Sequence, residues 1–292
     1  MDKDIKGYLD YLEGIKAYSD NTSLSYDYDL LEYEKYLKSR NIDYKKITYK
    51  EVRDYLKYLS ERDKASSISR KISSLRGFYK YLKKSNITSN DSFDEVEKPR
   101  LEKKIPRFFY YNEIEELLSV PDLSTSLGQR NKCILEMLYA TGVRVSELVN
   151  IKMQDIGDFK IKVRGKGDKD RIVFFGEYAL DALKLYQNDG RLALNKYKSD
   201  YLFLNNRGGK LTPRGVAYIL DTIIEETSIQ KKISPHMLRH TFATHMLNEG
   251  CDIASVQELL GHESLSSTEV YTHVADDHIR EVYYKAFPRN KK

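Results

Sequence analysis

Residues 96–107, VEKPRLEKKIPR, interrupt an otherwise periodic apolar pattern. Proline breaks helices and charged side chains stay hydrated, so this stretch is typical of an exposed connection between domains. The length of 292 residues is also what two domains commonly occupy. The sequence therefore predicts a first domain over residues 1–95, a linker over 96–107, and a second domain over 108–292.

The first domain is predicted to be an all-α bundle. Thr48 precedes a helical stretch with Glu51 at the spacing of a capping box. Two further stretches carry apolar side chains at helical spacing: Tyr26, Leu30, Tyr33 and Leu37 in one, and Ile68, Ile72, Leu75, Phe78, Tyr79 and Leu82 in the other.

The second domain is predicted to be mainly helical with a small β-sheet. Residues 159–175, FKIKVRGKGDKDRIVFF, alternate around a glycine-rich turn, which favours a β-hairpin with Lys166 in its connection. Signals for helix ends follow: Thr212-Pro213 and Ser234-Pro235 as starts, Gly250 as a stop, Asp252 as a start and Gly261 as a stop.

Composition favours a globular cytoplasmic protein. Hydrophobic residues make up 40% of the chain and charged residues 32%, and the mean hydropathy is −0.61. No stretch approaches the roughly 20 apolar residues of a membrane helix, and the acidic amino terminus does not resemble a secretory signal. Cys133 and Cys251 are expected to be reduced thiols, although two cysteines leave a disulfide open.

Basic residues cluster in the first domain. The net charge of +5 is compatible with a nucleic-acid partner without requiring one. A solvated helix face is the alternative explanation of the cluster. Possible DNA-contacting residues are Arg70, Lys71, Arg76 and Arg214.

All six histidines lie between His236 and His278. His236 and Arg239 stand three apart near a predicted helix start, where backbone N–H groups favour an anion. An imidazole and a guanidinium at such a place suit a phosphate. A core histidine beside a surface arginine would look the same, so this pair alone decides nothing.

Arg144 follows a helix and a glycine and opens a new helix. A buried arginine there must pair with an acid or bind an anion, and Glu147 is a possible structural partner. Lys166 by itself suggests a solvated loop lysine, and Tyr271 is one of 24 tyrosines.

The ordered series ATGVRVSEL, GKGDKDR, PHMLRHTFATHML, LLGHES and VYTHV resembles the tyrosine recombinase (phage integrase) family, most closely its Xer-type members. The resemblance covers nearly the whole chain. It implies a core-binding domain followed by a catalytic domain. By motif, the catalytic residues would be Arg144, Lys166, His236, Arg239, His262 and Tyr271.

This resemblance implies cleavage of DNA through a 3′-phosphotyrosine on Tyr271. His236 would take the phenolic proton, and Arg144 and Arg239 would clamp the nonbridging oxygens, with a further hydrogen bond from His262. Lys166 would protonate the departing 5′ oxygen. The phosphotyrosine keeps the bond energy and the guanidiniums neutralise charge, so neither ATP, a metal nor another cofactor is expected.

The implied partner is a double-stranded recombination site held by a C-shaped clamp. The family further implies a tetramer on DNA, as a homo-oligomer or with a paralogue, a possible DNA translocase as regulator, and a role in resolving chromosome or plasmid dimers. The carboxy-terminal stretch bearing Ile279, Val282, Tyr283 and Phe287 would pack on its own domain or, as the family favours, dock into a neighbouring subunit.

Three other interpretations fit parts of the sequence. A metalloenzyme would use His236 and His240 at i,i+4 spacing, but the helix lacks the H-E-x-x-H glutamate. A DNA-binding protein without cleavage activity would share the basic helices. A phage or mobile-element integrase, or a relaxing topoisomerase of the same mechanistic type, would share the chemistry, although many integrases of the family carry an extra amino-terminal domain for arm sites.

Overall fold

The computed structural model describes residues 1–14, 20–90, 92–100, 108–165, 170–261 and 272–290. The chain forms two compact units, residues 1–104 and 105–292. Both are mainly helical, and the second carries a three-stranded sheet. The fold class expected from the sequence is thereby confirmed.

The first unit contains four helices in its described residues: α1 (Asp2–Gly14), α2 (Asp20–Ser39), α3 (Tyr49–Ser60) and α4 (Ala65–Lys84). The capping box at the start of α3 is present, because Thr48 Oγ1 accepts from the Glu51 N–H and Glu51 accepts from the Thr48 N–H. Every member of the predicted apolar stripe of α4 is buried.

Two tyrosine hydroxyls are hydrogen-bonded to each other inside this first core. The Tyr79 hydroxyl donates to the carbonyl of Tyr44 at 2.8 Å, so the Tyr33 hydroxyl, 2.9 Å away, donates to Tyr79. The core also includes Phe93 and Val96, which places its edge one residue inside the predicted linker. These hydrogen bonds let the rings of Tyr33 and Tyr79 fill the bundle without leaving their own hydroxyls unpaired.

The second unit begins its described part at residue 108. Its helices are α5 (Tyr111–Ser119), α6 (Ser126–Thr141), α7 (Val145–Leu148), α8 (Glu177–Leu185), α9 (Arg191–Leu194), α10 (Pro213–Glu225), α11 (Pro235–Asn248), α12 (Ile253–Leu260) and α13 (Thr272–Ala286). Its strands are β1 (Ile156–Gly157), β2 (Lys160–Arg164) and β3 (Asp170–Phe174).

The predicted hairpin forms two of these strands. β2 pairs antiparallel with β3, with Ile161 opposite Val173 and Val163 opposite Arg171. Partners across an antiparallel pair share a face of the sheet, and Ile161, Val163 and Val173 are buried. Arg171 therefore lies on the buried face of the sheet.

The ends of α6, α11 and α12 follow their sequence signals. Ser234 and Asp252 accept from the first turns of α11 and α12, as predicted. Gly142 after α6 and Gly261 after α12 both adopt left-handed φ, +58° and +65°. These two glycines turn the chain at the points where the candidate site lies.

The carboxy-terminal helix α13 packs on its own unit. Ile279, Tyr283 and Phe287 are buried in the core of the second unit, and the Tyr283 ring stacks on Phe287 at 5.2 Å. Beyond the helix, Arg289 donates to the buried Glu136 at 2.8 Å. In the single chain this stretch therefore packs on its own unit, and docking into a neighbouring subunit stays a prediction for the assembly on DNA.

Two smaller expectations concern the cysteines and the membrane. Cys133 and Cys251 are both free and buried, and burial raises the pKa of both thiols. Within the part of the chain that the structure describes, every helix is too short or too polar to cross a bilayer.

Replacement of Gly142 by alanine is expected to destabilise the protein more than the same change at Gly250. Both glycines have positive φ, so each alanine costs about 1–2 kcal/mol of backbone strain. A Cβ at Gly142 would also lie 2.6 Å from Phe242 and 2.8 Å from Leu260, whereas nothing lies within 4 Å at Gly250. Overpacking should add about 1–3 kcal/mol at Gly142 alone. Urea unfolding measures the difference, and equal losses would contradict it.

Candidate active site

Arg144 lies where two helices meet. α6 ends at Thr141, Gly142 turns the chain, and Arg144 itself occupies the cap position of α7. Its backbone N–H donates to Glu147 Oε2 at 2.7 Å and its Nη1 to Glu147 Oε1 at 2.8 Å. Its Nη2 donates to the carbonyl of Gly261 at 3.3 Å. The ion pair with Glu147 is thus present, and the same guanidinium also reaches the end of α12.

Arg239 and His236 share the first turns of α11, but their surroundings differ. His236 is exposed, whereas Arg239 is only 9% exposed. Arg239 Nη1 donates to the carbonyl of Gly142 at 2.6 Å, and Nη2 donates to the carbonyl of Leu260 at 2.7 Å. The guanidinium is therefore held between the carboxy-terminal ends of α6 and α12.

Two of the predicted catalytic residues therefore meet at one place. Arg239 binds the carbonyl of Leu260 and Arg144 binds that of Gly261, the next residue along the chain. Helix ends expose carbonyls that lack partners within the helix, and their partial negative charge favours a cation. The end of α12 thus gathers guanidiniums that come from two distant parts of the sequence.

The charges at this place influence each other. Burial, followed by the nearby positive charges of Arg144 and Arg171, lowers the pKa of Arg239 to about 10, although Glu147 opposes the shift. Arg239 is still protonated at neutral pH. It is a dehydrated cation whose only described side-chain bonds go to neutral carbonyls, a setting in which an anion would bind strongly.

Arg171 belongs to this site and was not singled out from the sequence. Its Nη1 donates to Glu147 Oε1 at 2.6 Å and its Nη2 to Glu147 Oε2 at 3.0 Å. A signal for it exists in the alternation of the hairpin, because Arg171 occupies the same face as Val163 and Val173. A charged residue on a buried strand face needs a partner of opposite charge.

Three predicted site residues, Lys166, His262 and Tyr271, lie outside the described residues. In the sequence, Lys166 falls between β2 and β3, His262 directly follows Gly261, and Tyr271 directly precedes α13. Their catalytic roles stay predictions from the motif resemblance.

The four possible DNA contacts have different surroundings. Lys71 is 5% exposed and its ammonium donates to Glu32 at 2.7 Å and Asp63 at 2.6 Å. Arg76 donates to backbone carbonyls, including that of Phe93 at 3.0 Å. These bonds favour a structural role for both residues.

The other two are more accessible. Arg214 is exposed near the start of α10, and the Arg70 side chain is 44% exposed while paired with Asp29. DNA contact stays a prediction for these two arginines.

The metalloenzyme alternative requires a cluster of metal ligands. Among the described residues, no group of three or more His, Cys, Asp or Glu side chains is placed to hold a metal ion. His245 serves the core instead. Its Nδ1 lies 2.8 Å from the Tyr139 hydroxyl, its ring stacks on Tyr111 at 4.0 Å, and burial lowers its pKa.

The sequence pattern of the phage integrase family matches residues 107–278, and that of the phage integrase N-terminal SAM-like domain matches residues 5–86. Tyrosine recombinase XerC of Anoxybacillus flavithermus is 49% identical over 290 residues, covering 97% of this chain and 96% of the relative. Tyrosine recombinase XerC of Bacillus subtilis is 44% identical over 292 residues, covering 98% of this chain and 96% of the relative.

Solved structures give the same picture. XerH site-specific recombinase bound to palindromic difH substrate, a post-cleavage complex, superposes with a TM-score of 0.70 at 25% identity, over 90% of this chain and 79% of that one. A lambda integrase tetramer bound to a Holliday junction superposes with a TM-score of 0.67 at 18% identity, over 91% of this chain and 75% of that one. The second likeness shows the fold alone.

The pH dependence of stability is expected to report on Glu147. Burial alone would raise the pKa of its carboxyl, but the hydrogen bonds and charge of Arg171 and the bonds from Arg144 hold this pKa below its ordinary 4.5. A lowered carboxyl pKa contributes stability that is full above 4.5 and is lost as pH falls through the lowered pKa. Glu147→Gln removes the contribution, so it should destabilise by about 3 kcal/mol at neutral pH.

The difference in unfolding free energy between wild type and Glu147→Gln should shrink as pH falls below 4.5. Urea unfolding at a series of pH values measures it. The matched control is Glu115→Gln, at an exposed position on α5, which should track wild type throughout. A Glu147→Gln difference that stays constant with pH would contradict the assignment.

Proposed function

The chain belongs to the phage integrase family and is an Xer-like site-specific tyrosine recombinase, and from this premise we propose that Arg144 and Arg239 form one active site with Lys166, His236, His262 and Tyr271. In this proposal Tyr271 is the nucleophile. Residues 1–95 are the core-binding domain, 96–107 the linker, and 108–292 the catalytic domain.

The observation that supports the proposal most directly is the meeting of Arg144 and Arg239 at the end of α12. Their Nη2 atoms bind consecutive carbonyls, those of Gly261 and Leu260. A guanidinium carries five N–H donors. Each of these arginines uses two side-chain donors toward the described residues, so donors remain for two nonbridging oxygens of a phosphate.

The reaction needs a nucleophile that stores the phosphodiester bond. In the proposal the Tyr271 oxygen attacks phosphorus, its proton passes to His236, and the bond to the 5′ oxygen breaks. Tyrosine has an ordinary pKa of about 10 and so needs a base and a positive field to react at neutral pH. In the proposal, the guanidiniums of Arg144 and Arg239 supply that field.

The departing 5′ oxygen takes a proton from Lys166, and the 3′ phosphate stays on Tyr271. Rejoining runs the same steps in reverse, with a 5′ hydroxyl attacking the phosphotyrosine. Because the number of phosphoester bonds is conserved, the cycle needs no ATP. Charge on the transition state is neutralised by Arg144 and Arg239, with His262 donating a further hydrogen bond.

Double-stranded DNA carrying a recombination site is the proposed substrate, bound as a tetramer. The support is the likeness to XerH bound to difH substrate and to a lambda integrase tetramer bound to a Holliday junction. The high identity to XerC proteins over nearly the full length favours resolution of chromosome or plasmid dimers over phage integration. A hetero-tetramer with a paralogue, and control by a DNA translocase, are further parts of this proposal.

Covalent trapping tests the nucleophile. The probe is a duplex selected by repeated rounds of binding from a randomised pool and nicked within the bound region. Wild type, quenched with detergent in the presence of a chelator, should give a DNA-linked band, because the nick lets the short strand diffuse away and prevents rejoining. Tyr271→Phe should give none.

Tyr197→Phe, a change at an exposed tyrosine of the same unit, is the matched control and should trap like wild type. A band that survives in Tyr271→Phe would place the nucleophile elsewhere. Binding of the selected duplex with no band from wild type at any nick position would favour a DNA-binding protein without cleavage activity.

Substitution of either arginine by glutamine should slow cleavage by about 10²–10³-fold, as loss of one donor to a transition-state oxyanion does. The measurement is the single-turnover rate of covalent-complex formation at saturating DNA. Arg207→Gln, at an exposed turn position, is the control. Cleavage rates for Arg144→Gln and Arg239→Gln within about twofold of the control would contradict the proposal that these arginines bind the scissile phosphate.

A further inference from the structure

Arg171 has no part in the chemistry proposed above, yet it is bound to the same site. It lies on the buried face of β3, and its side chain is 17% exposed. Both of its terminal nitrogens donate to Glu147, at 2.6 and 3.0 Å. This forked geometry fixes the orientation of a carboxylate in a way that a single lysine donor does not.

Glu147 is shared evenly by two arginines. Its Oε1 accepts from Arg144 Nη1 and Arg171 Nη1, and its Oε2 accepts from the Arg144 backbone N–H and Arg171 Nη2. Arg171 therefore sets the plane of the carboxylate, and the carboxylate sets both the backbone and the guanidinium of Arg144.

Arg171 also contacts the second point to which Arg144 is attached. A Cβ at Gly261 would lie 2.9 Å from Arg171 Cδ and 3.0 Å from its Nε, so the side chain packs directly on this glycine. The carbonyl of Gly261 accepts from Arg144 Nη2. The Nε of Arg171 is buried and makes no hydrogen bond within the described residues.

The contacts of Arg171 matter because of the balance of charge around Glu147. Among the described residues, Arg144, Arg171 and Arg239 form a cluster with the single carboxylate of Glu147, which leaves two positive charges uncompensated there. Without Arg171, Glu147 would lose two of the four hydrogen bonds described above and would pair with Arg144 alone. The carboxylate would then neutralise Arg144 and draw its donors away from a phosphate.

We propose that Arg171 is a positioning residue for strand cleavage, which engages Glu147 and packs on Gly261 so that Arg144 keeps its charge and donors available for the scissile phosphate. This inference rests on the proposed role of Arg144. Arg171 itself does not touch the DNA in this scheme.

A simpler alternative is that Arg171 only ties β3 to α7. Its loss would then lower stability and would slow reaction on every substrate to the same extent. The two explanations separate on a substrate whose scissile phosphate is neutral. A methylphosphonate, in which methyl replaces one nonbridging oxygen, carries no charge for Arg144 to neutralise.

The experiment compares wild type, Arg171→Gln and the matched control Lys160→Gln, an exposed position on the neighbouring strand β2. The selected nicked duplex is used with an ordinary phosphate and with a methylphosphonate at the scissile position. Single-turnover rates of formation of the Tyr271-linked complex are measured at saturating DNA, together with the dissociation constant and the melting temperature of each variant.

Arg171→Gln should slow cleavage of the ordinary phosphate by about 10–100-fold, as loss of a residue that orients a reactive group does. Its DNA affinity should change by less than about threefold. On the methylphosphonate its deficit relative to wild type should shrink by about tenfold, because Arg144 no longer matters there. Lys160→Gln should match wild type on both substrates.

A wild-type rate for Arg171→Gln, or an equal deficit on charged and neutral phosphates, would overturn the inference. If Arg171→Gln fails to fold, Arg171→Lys replaces it and should show a smaller deficit with the same dependence on phosphate charge.

Combining Arg171→Gln with Glu147→Gln adds a second criterion. The double variant should be less impaired than the product of the single deficits, and strictly multiplicative deficits would also overturn it.

Failure of the proposed function gives a different result. In that case wild type forms no Tyr271-linked complex on the selected duplex, whatever residue stands at position 171. Failure of this inference alone leaves wild-type trapping and its loss in Tyr271→Phe intact.

Discussion

The buried carboxylate of Glu147 fixes the arrangement of Arg144 and Arg171 in the candidate active site. Taking a carboxylate out of water costs several kcal/mol unless hydrogen bonds replace the lost hydration. Here it is almost fully buried, and Arg144 and Arg171 provide donors to both of its oxygens. Because removing one member of such a group leaves another charge buried without compensation, the arginines and the glutamate stabilise one geometry together.

The helix ends complete that geometry. α6 and α12 both terminate at glycines with left-handed φ, Gly142 and Gly261, and both expose carbonyls at that point. Arg239 binds one carbonyl from each end, and Arg144 binds a second carbonyl of α12. Partial negative charge at two helix termini therefore positions guanidiniums that the fold would otherwise leave mobile on long side chains. Gly142 and Gly261 contribute to the candidate site indirectly, because their backbone conformation sets the direction of these carbonyls.

Local signals in the sequence predicted much of this framework. The cap at Ser234, the left-handed stop at Gly261 and the hairpin strands around Lys166 depend on residues a few positions apart, and the structure has each of these caps and strands. Long-range pairing was harder to infer. The sequence predicts Lys71 as a possible DNA contact because it lies off the apolar stripe of α4, but periodicity does not say what faces that side of the helix.

Whether a basic side chain is free to contact DNA depends on the acidic residues that the fold places beside it. Glu32 and Asp63 occupy the space beside Lys71, and the role of Arg171 depends on strand register and on Glu147, 24 positions away. Arg239 shows the same dependence. It is a cation held largely by neutral carbonyls, with its pKa lowered by burial and by Arg144. An anion bound to Arg239 would offset the effects of burial and of the nearby charge of Arg144, which lower this pKa. A phosphodiester is the anion that two forked, partly unused guanidiniums fit best, so the unbound cluster favours the substrate that the proposed chemistry requires.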